Sequence, residues 1–135
     1  MQLTCGEPQN SFGGQNTNLK LQAYSRGMGA LGLPGDASSM SRFVKASFVK
    51  LNSVSSNSED ESVSQFFHIL KSVEMPRGMV HLEKDLYEIT VYSSCCNIDK
   101  GIYYYTTYEN STVTAVDMHS CAIEGSELSI FPLKQ

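Results

Sequence analysis

The sequence predicts an α+β domain, two amphipathic helices followed by an antiparallel meander. Three observations carry that expectation. Apolar residues recur at helical spacing twice, first as Met40, Phe43, Val44, Phe48 and Leu51, then as Val63, Phe66, Phe67, Leu70 and Val73. From Met79 onward the period changes to alternation, punctuated by turn signals at residues 97–101 and 109–111. With 135 residues, 41% hydrophobic and 18% charged, the composition is that of one globular domain and not of a disordered chain.

Residues 1–25 are polar and rich in Asn and Gln, with Phe12-Gly13-Gly14 marking a loop and Leu19, Leu21 and Ala23 alternating as in a short strand. Gly27-Met28-Gly29-Ala30-Leu31-Gly32 then matches the GxGxxG pattern of dinucleotide sites. That pattern needs a hydrophobic strand before it and a helix opening within it. Here Gln22-Ala23-Tyr24-Ser25-Arg26 precedes it, and Pro34 stands where the helix would be running. The glycines serve a turn.

Asp36 or Ser38 is placed to cap the first helix, which the spacing extends over residues 38–54. Its apolar face is Met40, Phe43, Val44, Ser47, Phe48 and Leu51, with Arg42, Lys45, Val49 and Lys50 on the other side. A glycine turn that delivers an arginine into the start of a helix directs one cation at one point. After Ser55-Ser56-Asn57, Ser58 and Glu61 have the spacing of a capping box, and Glu59, Asp60 and Glu61 suit the positive end of a helix dipole. This second helix ends near Glu74, because Pro76 disfavours helical geometry at Met75.

Residues 87–96 alternate as one strand, Tyr87, Ile89, Val91, Ser93 and Cys95 sharing a face. Residues 97–101 form a hairpin turn with Gly101 in the left-handed position, and residues 102–108 (IYYYTTY) are dense in β-formers. A third strand is expected at residues 112–118 and a short fourth at residues 128–131. The helices cover one face of this sheet, and the chain has too few further elements to cover the other.

A net charge of −4 gives no electrostatic case for nucleic acid or an anionic membrane surface. No run is long and apolar enough to span a bilayer, and no signal peptide opens the chain, so a cytoplasmic location is expected. Cys5, Cys95, Cys96 and Cys121 form no CxxC pair or zinc spacing, and they read as buried free thiols of a reducing compartment. No metal or cofactor is expected. His68 reads as a core-edge residue, and His81 and His119 as surface residues. Asn110-Ser111-Thr112 reads as a turn, not a glycosylation site.

The order GMGALGLPGDASSMSRF, SVSQFFHIL, YSSCCNIDKGIYYYTTYEN and AVDM closely resembles the C-terminal part of the choloylglycine hydrolase family, which includes bile salt hydrolases and penicillin V acylases. The resemblance covers essentially the whole chain and is strongest to bile salt hydrolases of gut bacteria. It implies an N-terminal-nucleophile hydrolase fold, an αββα sandwich whose second sheet supplies the missing layer. Residues 1–135 are then the C-terminal portion of one domain whose N-terminal half is absent.

The family's nucleophile is an N-terminal cysteine, and the scissile amide of a conjugated bile salt joins a bile acid to glycine or taurine. By this resemblance the arginine of Ser41-Arg42-Phe43 is Arg42, a member of the active-site set. The other members have no counterpart here, and Met1 is followed by Gln2. The chain alone is therefore expected to be inactive, and the full enzyme a homo-oligomer. The alternatives are a penicillin V acylase fragment, a non-catalytic half that pairs with a separate N-terminal chain, and an unrelated α+β binding module.

Overall fold

The computed structural model describes residues 30 and 32–134. The chain divides into two compact units, Met1–Asn52 and Ser53–Gln135. The expected strand at residues 19–23 and most of the GxGxxG stretch lie outside the described residues.

In the first unit, helix α1 runs from Ser39 to Leu51. Of the two candidate caps it is Ser38 that fills the position, its side chain accepting from Ser41 N. The helix stops three residues short of the expected Val54. Asn52 ends it by leaving the helical region at φ −109° and ψ 5°, its Nδ2 joining its own backbone N–H on Phe48 O. The expected apolar face is mostly open. Met40, Phe43 and Leu51 are 72%, 69% and 82% exposed, whereas Ser41 is 8% exposed.

In the second unit, helix α2 spans Glu59–Lys71 with Glu59, Asp60 and Glu61 in its first turn, as the dipole favours. The capping box does not form, since Ser58 makes no side-chain cap bond. Ser56 closes the entry instead. Its hydroxyl donates to Glu61 and accepts from Ser58 N, while its carbonyl accepts from Ser62 Oγ. The helix ends at Lys71 and not near Glu74. Residues 72–74 continue only as turns, with Ser72 Oγ donating to Ile69 O.

The strand expected at residues 87–96 is two pieces. Strand β1 (Val80–His81) pairs with β2 (Tyr87–Glu88) in a small hairpin. Strands β3 (Tyr92–Asn97), β4 (Ile102–Thr107) and β5 (Thr114–Asp117) form the antiparallel meander. The break falls where Thr90 turns inward to Met75: Thr90 Oγ1 accepts from Met75 N at 2.9 Å, and Met75 O accepts from Thr90 N at 3.1 Å. Beyond β5 the chain makes a 3-10 turn, Met118–Ser120. Residues 128–131 form no strand.

Cys95 pairs with Tyr104 and Ala115 pairs with Tyr104 on the other side, so these three residues share one face of the meander. Tyr104 bonds to Glu59 of α2, which identifies that face as the helix-covered one. Phe67, Met75 and Tyr105 are the buried apolar residues among those described. On the second face the Tyr105 hydroxyl accepts from Lys134 N, but Tyr92 and Tyr103 stay exposed. Of the cysteines, Cys95 and Cys121 are half-buried free thiols and Cys96 is exposed, because alternation turns Cys96 away from α2.

Candidate active site

The entry to α1 is built by short polar side chains. Asp36 Oδ1 accepts from Ser38 N at 2.9 Å, and Asp36 Oδ2 accepts from Ser41 Oγ at 2.5 Å. Ser38 Oγ donates to Ser41 Oγ at 3.0 Å and accepts from Ser41 N at 3.3 Å. The hydroxyl of Ser38, then that of Ser41 and the Ser38 N–H, hold the Asp36 carboxyl down at about 2. This carboxylate is ionised at any working pH.

Arg42, the site residue assigned from the sequence, follows directly. Its backbone N–H donates to Ser38 O at 2.9 Å and so makes the first helical bond of α1. The side chain is half-buried, not solvated, and its Nε is buried without a hydrogen-bond partner among the described residues. Neither ion pair among the described residues includes Arg42. A cation here also faces the unfavourable end of the helix dipole. Neither the dipole nor any ion pair among the described residues explains an arginine at this position.

The second unit holds a polar cluster that sequence periodicity does not reveal. Glu59 Oε1 accepts from Tyr104 OH at 2.8 Å and from Asn97 Nδ2, while Oε2 takes Lys100 Nζ. Lys100 before all, then Tyr104 and Asn97, lowers the Glu59 pKa. Only the acid-rich helix start was visible in the sequence; its partners are 38 to 45 residues away. The unit also has two open clefts. One, of about 440 Å³, is lined by Lys71, Glu74, Met75, Tyr92 and Tyr108; the other, of about 350 Å³, by Asp60, Phe67, His68 and Tyr104. His68 is exposed rather than at the edge of a core. Among the described residues no His, Cys, Asp and Glu side chains cluster to hold a metal ion, and no helix is long and apolar enough to cross a membrane.

Comparison with known proteins places this arrangement. Residues 3–131 match the model of linear amide C–N hydrolases, choloylglycine hydrolase family. The fold is similar to a solved single-residue mutant of conjugated bile acid hydrolase from Clostridium perfringens, with a TM-score of 0.75 and 36% identity, covering 89% of this chain and 36% of that one. It is also similar to penicillin V acylase from Agrobacterium tumefaciens, with a TM-score of 0.57 and 23% identity over 67% of this chain and 29% of that one. The second likeness bears on the fold alone.

The architecture is thus that of an N-terminal-nucleophile hydrolase of linear amides. The chain belongs to the choloylglycine hydrolase family. Among curated relatives it is 53% identical to a bile salt hydrolase/transferase of Lactiplantibacillus plantarum over 98% of its own length, and it spans 40% of the length of that relative.

Proposed function

We propose that these residues are the C-terminal portion of a conjugated bile acid hydrolase domain, and that Arg42 is a cation of its active site. One observation carries the assignment: a half-buried arginine whose Nε has no partner, and whose charge no acid pairs with, among the described residues. The 53% identity to a named bile salt hydrolase/transferase supports the substrate class.

In the proposed reaction an N-terminal cysteine, on the part of the domain these residues do not span, gives its thiol proton to its own α-amine. The thiolate attacks the amide carbonyl carbon, glycine or taurine leaves with the proton, and water then frees the bile acid from the thioester. Arg42 beside the sulfur favours the thiolate and offsets charge developing on the carbonyl oxygen. Cys95, Cys96 and Cys121 lie in or just after the meander and have no part in this step. A polypeptide of residues 1–135 alone does not hydrolyse the amide. The free thiols, one of them exposed, support a reducing cytoplasmic setting.

The test is a chimaera in which residues 3–131 replace the corresponding segment of the L. plantarum relative. It hydrolyses glycine- and taurine-conjugated bile salts, and Arg42→Ala lowers its kcat by roughly 100-fold or more. An unchanged kcat in Arg42→Ala overturns the assignment.

A further inference from the structure

We infer that Asp36 and Ser41 are positioning residues for the amide-cleaving site, acting through Arg42; this rests on the reading of Arg42 given above. An N-cap needs one side-chain oxygen on one backbone N–H of the first turn, and Ser38 supplies it to Ser41 N. The Asp36 carboxylate and the Ser41 hydroxyl are surplus to that requirement. Ser41 is the buried residue of α1, although serine has a lower helix propensity than alanine and its hydroxyl carries a desolvation cost. Its hydroxyl is satisfied on both sides, donating to Asp36 and accepting from Ser38.

The consequence is geometric. The chain of bonds from Asp36 through Ser41 to Ser38 holds residue 41 by its side chain and its backbone N–H together, and Arg42 is the next residue. The backbone from which the guanidinium departs is therefore fixed at a point where a cap alone would permit fraying. Asp36 gives its charge to hydroxyl and amide donors and makes no ion pair among the described residues, so it does not neutralise Arg42. Displacing a group that acts on the reacting atoms by about 1 Å costs up to roughly 100-fold in rate.

The same chimaera tests this. Ser41→Ala and Asp36→Asn each lower kcat about tenfold, with KM changed by less than about threefold, and move the acid limb of kcat/KM to higher pH, as a less effective Arg42 would. In the Arg42→Ala background Ser41→Ala lowers kcat no further, because a positioning residue has nothing left to position. If Ser41→Ala fails to fold, the isosteric Asp36→Asn decides, alone and combined with Arg42→Ala. Wild-type kcat and pH profile in the folded variants, or an effect that persists in full without the arginine, overturns the proposal. The assignment of Arg42 fails separately, through Arg42→Ala alone.

Discussion

The Tyr104 hydroxyl donates a 2.8 Å hydrogen bond to Glu59 across 45 residues of sequence, tying the middle strand of the meander to the first residue of α2. Asn97 at the end of β3 and Lys100 in the β3–β4 turn converge on the same carboxylate. Glu59 has its pKa lowered from 4.5, chiefly by Lys100, so its contribution to stability is complete above pH 4.5 and is lost as pH falls through the lowered value. Lys100 has its pKa raised from 10.5 by Glu59, so that contribution is complete below pH 10.5 and lost above the raised value. Glu59→Gln therefore lowers the urea midpoint of the chimaera at pH 7, and the difference from wild type shrinks as pH falls below 4.5. An equal midpoint at pH 7 would show that the cluster contributes nothing.

Gly101 closes the β3–β4 turn at φ 64°, and a Cβ there would stand 2.9 Å from His119 Nε2 and 3.0 Å from Met118 Cε. Both neighbours are the ends of flexible side chains and move aside, so the backbone sets most of the cost. Gly101→Ala destabilises by about 1–2 kcal/mol, read as a lower urea midpoint at constant slope. Gly101→Asn, more tolerant of the left-handed region, loses less.

Lys84 and Asp85 both have positive φ, 57° and 59°, in the turn that joins β1 to β2, which Leu86 N closes onto Glu83 O. Two-residue hairpins favour this primed geometry, and Asn-Gly suits it better than Lys-Asp. Lys84→Asn with Asp85→Gly stabilises the chimaera by about 1 kcal/mol. Calorimetry giving an unchanged or lower Tm would count against the turn assignment.

A polypeptide of residues 1–135 exposes Met40, Phe43 and Leu51 on α1, and Leu128 and Ile130 at 90% and 85%. The outer edges of β3 and β5 also have no strand partner among the described residues. Made alone, it self-associates at micromolar concentration and gives no reversible thermal transition. A clean monomer in sedimentation with a sharp, reversible transition would contradict this.

Local rules made both helices, the three-stranded meander and the Gly101 turn legible in the sequence, because spacing and turn chemistry act over a few residues. The failures share one cause. Ser58 sits at the N-cap without a side-chain bond while Ser56 ties the helix entry, Asn52 ended α1 early, and Thr90 broke the long strand by turning to Met75. Each is a choice among competing polar partners, which periodicity does not rank. The open face of α1 and the cluster on Glu59 depend on tertiary neighbours. Arg42 is legible as a site residue only through family resemblance; helical spacing alone puts it opposite the apolar face with Lys45 and Lys50, whereas its Nε is buried.

Arg42 is the first residue of α1 to bond back along the helix, and it bonds to Ser38 O. The direction in which its side chain leaves the helix is therefore counted from Ser38, not from Leu51. Lengthening or shortening the connection after Asn52 does not rotate the arginine about the axis of α1. Inserting a single residue between Ser38 and Arg42 turns it by about 100°, so the length of this short interval sets where the guanidinium is aimed.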